Sequence, residues 1–442
     1  MKNNNDENQW IGVIPNDWKL IKGKYLFQQR SEKGNELELQ LLSPTQKYGV
    51  IPQSLYEKLS GFSAVKLDEK TDFNTLKTIH KGDYCISLRS FQGGFEYSEY
   101  EGVCSPAYQI FFPIDKLCSK YYKYLFKDQC FIDKINSFTL SLRDGKNVSF
   151  TDFASTYLPY PPLCIQEKIA DFLDKKCTEI DMLHSDIEKQ IETLEEYKKS
   201  IITEAVTKGL DPDVEMKDSG IEWMGMVPST WESNKVLNCI DFIGGSQPPL
   251  SYFEGEEKEG YVRLIQNRDY KTDDYMTFVP KRMVTKFCEV DDVMIGRYGP
   301  PLFVLHRGLK GAYNVAIMKA VPKLLDREFM AFYLQNYTLL QYIESFSKRT
   351  AGQAGVNTDI LKKYPIYVPP MEEQKEIAIY LEKKCIEIDN VIGKKKEQLE
   401  TLEQYKKSLI YEYVTGKKEV PDYEWNIDWK AVSTFHHGLS KK

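Results

Sequence analysis

The chain has 442 residues, of which 42% are hydrophobic and 28% charged, with a formal net charge of −6. This length exceeds the about 250–300 residues that one hydrophobic core serves, so we expect at least two domains. No apolar run reaches the ~18–20 residues of a membrane helix, and the polar start MKNNNDENQW does not resemble a secretory signal. With nine cysteines that show neither CxxC pairs nor zinc spacing, we predict a cytoplasmic protein with reduced thiols and no membrane partner.

The net charge argues at first against a nucleic-acid partner, but its distribution changes this interpretation. Residues 161–227 carry 8 basic and 16 acidic side chains. Residues 19–160 carry 19 basic and 16 acidic ones, and residues 232–368 carry 18 and 16. The two segments that flank the acidic stretch are therefore weakly basic, which permits DNA binding without demonstrating it.

The first 160 residues are predicted to form a lobe of short strands with few helices. The segments 81–89 and 105–112 have strand patterns, and 118–136 has aromatic and aliphatic residues at helical spacing. Glycine-rich polar loops lie at 89–94 and 143–147. Loops on a rigid scaffold commonly carry binding residues.

Residues 161–210 are predicted to form a long helix that begins at Pro161-Pro162, because proline starts a helix but does not continue one. Apolar residues then step by four and three over about four heptads, the pattern of a coiled-coil seam. The seam consists of Leu173, Cys177, Ile180, His184, Ile187, Ile191, Leu194, Lys198 and Ile201.

The same organisation repeats about 210 residues later. Residues 161–207 align without gaps to 369–415, with 25 of 47 positions identical, and the motif at 10–18 resembles that at 223–231. The second lobe is predicted to have strands at 290–297 and 311–318, a helix near 326–346, and polar loops at 266–268 and 349–353. The helical segments match far better than the lobes do.

The sequence therefore predicts an α/β (α+β) protein with pseudo-two-fold duplication. Two globular domains are separated by two long antiparallel helices that form an intramolecular coiled coil. The predicted divisions are 1–160, first lobe; 161–210, first helix; 211–368, linker and second lobe; 369–416, second helix; and 417–442, tail. The alternative is that each helix is an ordinary surface helix that packs on its own lobe.

Arginine, glutamine and asparagine in the loops suit the reading of DNA base edges, since Arg pairs with guanine and Asn or Gln with adenine. The alternative for each residue alone is a solvated side chain or a phosphate contact. The candidate DNA-contacting residues are Arg89, Ser90, Gln92, Tyr108, Arg143, Lys146, Asn147, Gln266, Asn267, Arg268, Arg297, Tyr298, Arg349 and Gln353.

Several motifs together resemble the specificity subunits of type I restriction–modification systems, over nearly the whole chain. They are SGIEWMGMVPSTWE at 219–232, the paired PPLCIQEKIADFLDKKCTEID and PPMEEQKEIAIYLEKKCIEID, and the lobe segments HKGDYCISLRSFQGGFEYSEYEGVCSPAYQIFF and VDDVMIGRYGPP. The resemblance implies two target-recognition domains that each read one half of a bipartite asymmetric site in double-stranded DNA. It also implies helical regions that act as a spacer and dock two methyltransferase subunits, joined by restriction/translocase subunits.

We expect the chain itself to be non-catalytic, without cofactor or metal. None of its Pro-Pro pairs, at 161, 248, 300 and 369, lies in an (N/D)PP(Y/F) methyltransferase motif, and no GxxxxGK[ST] loop is present. The five histidines have no metal-ligand spacing. Two alternatives stay open: the recognition half of a methyltransferase–nuclease polypeptide, and a coiled-coil scaffold that binds only proteins.

Overall fold

The computed structural model describes residues 10–34, 39–61, 75–86, 94–114, 116–138, 148–221, 224–298, 301–347 and 355–421. Contacts divide the chain into two compact units. The first unit combines residues 1–186 with 398–442, and the second comprises residues 187–397. Each unit therefore contains one lobe together with a part of both long helices.

The first unit contains a mixed lobe. Its strands are β1 (Lys19–Lys22), β2 (Phe27–Arg30), β3 (Leu42–Thr45), β4 (Gly49–Pro52), β5 (Lys77–Ile79), β6 (Tyr84–Ile86), β7 (Phe95–Tyr97), β8 (Gly102–Cys104), β9 (Gln109–Pro113) and β10 (Tyr157–Tyr160). Its helices are α1 (Gln53–Ser60), α2 (Ser119–Leu125), α3 (Gln129–Ser137) and α4 (Phe150–Ser155), followed by the start of α5 (Leu163–Lys208).

The main sheet of the first unit is antiparallel and has the strand order β2-β9-β6-β7. Strand β1 pairs with β10, so that Lys19 lies opposite Tyr160 and the two ends of the lobe meet where α5 begins. Aromatic rings form much of the core, as in the edge-on pair Phe27 and Tyr84, with ring centroids 5.7 Å apart. Such edge-on contacts are a favourable geometry for buried aromatic side chains.

The second unit contains the second lobe. Its strands are β11 (Met216–Asp218), β12 (Met226–Pro228), β13 (Glu232–Lys235), β14 (Ile240–Gly244), β15 (Tyr261–Ile265), β16 (Phe278–Pro280), β17 (Phe287–Cys288), β18 (Val293–Gly296), β19 (Leu305–His306), β20 (Gly311–Tyr313), β21 (Ile317–Pro322) and β22 (Pro365–Val368). Its helices are α6 (Val236–Cys239), α7 (Arg327–Tyr333), α8 (Tyr337–Ser347) and α9 (Thr358–Lys363), followed by α10 (Met371–Val414).

The main sheet of the second unit has the order β14-β21-β18-β19 and is also antiparallel. Its strands occur along the chain in the same relative order as those of the first sheet, so that β14, β18, β19 and β21 correspond to β2, β6, β7 and β9. Strand β13 pairs with β22, directly before Pro369-Pro370, as β1 pairs with β10. A second sheet, β16-β15-β20-β17, includes one parallel pair, β15 with β20.

The predictions of a continuous helix at 118–136 and of another near 326–346 were wrong, because both helices are interrupted. The helix expected at 118–136 is two helices, α2 and α3, and the Asp128 carboxylate accepts hydrogen bonds from the amides of Cys130 and Phe131 at the new start. The helix expected near 326–346 is likewise α7 and α8, and buried Asn336 accepts from the Leu339 amide. A capping side chain satisfies free amides and so allows a second helix to begin.

The strand predicted at 311–318 was also wrong in extent. It is two strands, β20 and β21, separated at Asn314, where the amide of Ile317 donates to the carbonyl of Asn314. The Asn314 amide donates to the carbonyl of Ile265. The chain therefore leaves one sheet and enters the other within three residues.

The two long helices contact each other inside each unit. In the first unit the rings of Phe172 and Tyr413 are 4.4 Å apart, and Lys406 donates to both oxygens of Asp181. In the second unit Lys198 donates to both oxygens of Asp389, 2.6 and 2.7 Å away. In the same unit, Lys395 donates to the side-chain oxygen of Gln190. In each unit the residue number therefore rises along one helix as it falls along the other, so the helix segments run antiparallel there.

The apolar stripe of α5 is covered by its lobe as well as by α10. Leu173, Cys177 and Ile180 belong to the same buried cluster as the aromatic residues of the first lobe. His184, Ile187, Ile191 and Leu194, further along the predicted seam, are only partly buried. Part of the stripe thus fits the alternative of a helix that packs on its own lobe.

One glutamine fixes the start of each long helix to its lobe. In the first unit, fully buried Gln166 accepts from the Cys118 amide (3.0 Å) and donates to the Pro161 carbonyl (2.9 Å). In the second unit, buried Gln374 accepts from the amide of Asp326 (2.7 Å) and donates to the Pro369 carbonyl (2.9 Å). Cys118 and Asp326 are each the residue directly before the first lobe helix that follows the sheet. The same contact set therefore occurs in both units.

Candidate functional site

The structure describes six of the residues that the sequence suggested for DNA contact. Arg89, Ser90, Gln92, Arg143, Lys146, Asn147, Arg349 and Gln353 lie outside the described residues. Of the six, Tyr108 is in the first unit, and the other five are in the second. These five are Gln266, Asn267, Arg268, Arg297 and Tyr298.

In the first unit, Tyr108 lies just before β9. The Lys77 ammonium donates to its carbonyl at 2.7 Å, and its half-buried ring packs on a small cluster that includes Leu42, Ile79 and Ile110. This side chain therefore contributes to packing of the lobe.

In the second unit, Arg297 and Tyr298 follow the last residue of β18. The Arg297 amide donates to the Ala316 carbonyl at 2.8 Å, and its carbonyl accepts from the Val356 amide at 2.9 Å. Tyr298 forms a β-bridge with Gly355. A Cβ at position 355 would lie 2.7 Å from Tyr298 Cε1, so only glycine allows the ring to lie against this backbone. Backbone contacts with Ala316 and with the segment 355–356 thus hold the two residues in place.

The Arg297 side chain has few partners. Its Nη1 donates to the Val315 carbonyl at 3.3 Å, and the guanidinium carbon lies 5.4 Å from the centre of the Tyr298 ring. Its Nε is buried and has no hydrogen-bond partner among the described residues. The Tyr298 ring is 42% exposed, so the pair forms a cation–aromatic patch at the protein surface.

The side chains of residues 266–268 point in two different directions. The Gln266 amide group and the Arg268 guanidinium both donate to Thr277 Oγ1, and Arg268 also donates to the Tyr275 carbonyl. Asn267 instead faces Gly296, where a Cβ would lie 3.0 Å from its Oδ1. The structure therefore brings Asn267 next to the Arg297 segment and turns Gln266 and Arg268 toward the 275–277 segment.

A cavity of about 480 Å³ lies beside this segment and is lined by Arg268, Tyr275 and Thr277 among others. The buried Asp269 carboxylate, next to Arg268 in the chain, accepts from the amide of Gln266 at 3.0 Å. Burial raises the pKa of the Asp269 carboxyl above its ordinary value, although the nearby charges of Arg263 and Arg268 act in the opposite direction. This carboxylate shapes the turn that presents residues 266–268.

The run Gly244, Gly245 and Ser246 was not singled out in the sequence, and its first residue lies next to Arg297. Gly244 ends β14, and a Cβ there would lie 3.7 Å from Arg297 Nη1. A Cβ at Gly245 would lie 2.1 Å from the Asn314 carbonyl oxygen, so no side chain fits. Ser246 Oγ is buried without a partner among the described residues. The run Gly-Gly-Ser at a strand end was the available signal, since glycine there marks close backbone approach.

No metal centre is found within the described ranges, where no three His, Cys, Asp or Glu side chains are placed to hold an ion. All nine cysteines are free thiols. In the part of the chain that the structure describes, no helix is long and apolar enough to cross a bilayer.

The sequence matches the family model described as type I restriction modification DNA specificity domain, over residues 15–193 and 291–401. These two segments make up more than half of the chain and include Arg297 and Tyr298. The chain belongs to this family. The resemblance to type I specificity subunits, stated from the motifs, is thereby confirmed.

Individual members of the specificity family are also similar to this chain. The MjaVIII specificity subunit of Methanocaldococcus jannaschii is 27% identical over 308 residues, covering 64% of this chain and 68% of that protein. A putative MjaX specificity subunit of the same organism is 28% identical over 292 residues, or 62% of each protein.

A solved chain from work on complex assembly and conformational transition of the type I R-M system has the same fold, with a TM-score of 0.65. It is 15% identical, and the match covers 92% of this chain and all of that one. The likeness confirms the predicted mixed class of helices and strands.

Proposed function

We propose that this specificity-family chain selects the DNA sites at which a type I restriction–modification enzyme acts, and that each lobe reads one half of a bipartite asymmetric site. The observation that carries this proposal is the pair of matching units. Each unit has a four-stranded sheet of the same connectivity and a buried glutamine that ties the lobe to a long helix. Similar scaffolds with different loops suit two different half-sites.

In this proposal the target-recognition domains are residues 1–160 and the lobe within 211–368. The helices 161–210 and 369–416 form an antiparallel coiled coil that acts as the spacer, and 417–442 is a tail. The contacts of Asp181 with Lys406 and of Asp389 with Lys198 support the pairing, because the two aspartates and the two lysines occupy equivalent positions of the repeat.

The proposed partners are double-stranded DNA, two methyltransferase subunits that dock on the helical regions, and restriction/translocase subunits. The chain itself is proposed to be non-catalytic and to work in the cytoplasm without a cofactor. Weakly basic lobes fit this division of labour, since the partner subunits would add positive surface to the DNA-binding assembly.

Base-resolution mapping of DNA methylation in a host that expresses this chain with its methyltransferase tests the proposal. We expect one motif with two unlike halves and an unmethylated spacer of constant length. A methylated motif that is continuous, or one that does not depend on this chain, would contradict the proposal. A chain with both lobes intact and no methyltransferase serves as the control and should produce no methylation.

A further inference from the structure

Arg297 is the half-buried arginine among the described residues that lacks a counter-ion. Five of them pair with a carboxylate: Arg30, Arg263, Arg268, Arg307 and Arg327. Among the described residues, Arg282 and Arg297 have no carboxylate within ion-pair distance, and Arg282 is exposed whereas Arg297 is half-buried. A half-buried cation without a counter-ion is unfavourable in the free protein, so an electron-rich ligand would stabilise it.

The position of Arg297 is also fixed in advance of any ligand. Hydrogen bonds to Ala316 and from Val356 hold its backbone, and the adjacent ring of Tyr298 lies along the backbone of Gly355. The guanidinium is stacked near that ring and tethered to the Val315 carbonyl. A planar group held in this way loses little conformational entropy on binding.

The surroundings of Arg297 favour the close approach of a large ligand. Position 244, where a Cβ would lie 3.7 Å from Arg297 Nη1, is a glycine and so adds no side chain beside the guanidinium. Among the described residues, no carboxylate neutralises the positive charge of Arg297, whereas the other half-buried arginines pair with one.

We propose that Arg297 is the specificity-determining residue of the second lobe that pairs with a guanine base edge in the major groove. This inference rests on the proposed function. The guanidinium fork matches O6 and N7 of guanine, and it can also bind a phosphate, so the test separates these two ligands by their sequence dependence. The Tyr298 ring, whose centre lies 5.4 Å from the guanidinium carbon, flanks the fork.

The test compares Arg297→Ala, Arg297→Lys and the control Arg282→Ala, each in the full chain with its methyltransferase. Methylation mapping should show that Arg297→Ala loses the guanine preference, by about tenfold or more, at one position of one half-site. The other half-site and the spacer should stay unchanged, which also reports that the chain is folded. Arg297→Lys should not restore the preference, because lysine keeps the charge but lacks the fork. Arg282→Ala should retain the whole motif.

Two results would overturn the assignment. An unchanged motif would show that Arg297 does not read a base, and an equal loss of methylation over all sites would show a phosphate contact instead. If a variant yields no methylation at all, binding replaces methylation as the measurement. The purified complex is then tested in competition with duplexes that differ at one base pair each, to see whether the guanine preference at one position is lost. Failure of the wild-type complex to yield a bipartite motif would contradict the proposed function itself, whereas a normal wild-type motif with an unaffected Arg297→Ala variant would contradict only this inference.

Discussion

At the scale of single residues, buried polar side chains connect the lobes to the helices. The side-chain oxygens of Gln166 and Gln374 each accept from a backbone amide of the lobe, and their side-chain NH2 groups each donate to a proline carbonyl. Burial makes these contacts important, because a buried polar group without a partner costs about 1–3 kcal/mol. Aliphatic substitutes could fill the space but could not satisfy the backbone groups.

We therefore predict that Gln374→Ala lowers the free energy of unfolding by about 1–3 kcal/mol, because it leaves the Asp326 amide and the Pro369 carbonyl without partners. Urea denaturation monitored by circular dichroism measures the effect. Gln404→Ala, at an exposed position of the same helix, is the control and should change stability by less than about 0.5 kcal/mol. Equal stabilities of the two variants would refute the role of Gln374.

A second residue-scale prediction concerns Glu96, which is 1% exposed and pairs with Lys127 at 2.6 Å. Burial raises the pKa of the Glu96 carboxyl to about 7, although the Lys127 charge acts in the opposite direction. The folded state therefore holds this proton more tightly than the unfolded state, and the contribution of Glu96 to stability falls as the pH rises from about 4.5 to about 7. We predict that Glu96→Gln removes this dependence.

Thermal unfolding at pH 5, 6 and 7 measures this effect. The melting temperature of the Glu96→Gln variant should rise relative to the wild type by about 2–4 °C between pH 5 and pH 7. Asp133→Asn, at an exposed carboxylate on α3, is the control for the loss of one surface charge. A constant difference at all three pH values would show that Glu96 does not titrate in this range.

At the scale of elements, two glycines of the second helical repeat have opposite roles. Gly393 lies inside α10 with open space around it, whereas Gly416 follows the helix with a φ of +70°. A Cβ at Gly416 would lie 2.4 Å from Pro15 Cδ, and the Trp18 ring is close by. A left-handed residue at a helix end is a common stop signal that favours glycine.

We predict that Gly393→Ala stabilises the protein by about 0.5–1 kcal/mol, because alanine is the better helix former. Gly416→Ala should destabilise it by more than about 1 kcal/mol, because it adds left-handed strain and a clash with Pro15. Chemical denaturation of both variants tests the pair, and each serves as the control of the other. Changes of the same sign would contradict this account of the helix end.

The sequence predicted the long helices and the mixture of helices and strands, but not where several shorter elements are interrupted. Both long helices were expected from Pro-Pro starts and apolar periodicity, and they occur as α5 and α10. The breaks at Asp128 and Asn336 were missed, because an aspartate or asparagine inside an apolar run caps a helix only when the chain geometry allows it. For the candidate site, the sequence selected Arg297 and Tyr298 but not Gly244, which approaches Arg297 from the end of a distant strand.

At the scale of the whole molecule, the two lobes have related sheets but different loops, so their proposed tasks are separable. We predict that replacing residues 232–368 by the corresponding lobe of another specificity subunit changes one half of the methylated motif. The other half and the spacer should be retained, because the first lobe and the long helices are unaltered. Methylation mapping measures this, and a simultaneous change of both halves would contradict independent reading by each lobe.

The proposed spacer role yields a further whole-molecule prediction. Inserting one heptad into α5 and one at the paired level of α10 should lengthen the permitted spacer while both half-sites are kept, since rigid helices fix distances. A matched variant with seven substitutions and no insertion is the control. An unchanged spacer length in the methylation map would contradict the proposal that the long helices set the spacer.

The sequence by itself determined the repeat, the two long helices and the family, because each is recorded in spacing or identity along the chain. Only the tertiary structure decided which half-buried arginine lacks a counter-ion, which glycine lies beside its guanidinium, and which side chains serve packing instead. Gln266 and Arg268 turn toward Thr277, while Asn267 turns toward Gly296, although the three are neighbours in sequence. The physical reason is that partners of a side chain are set by contacts between distant strands, which no local pattern specifies.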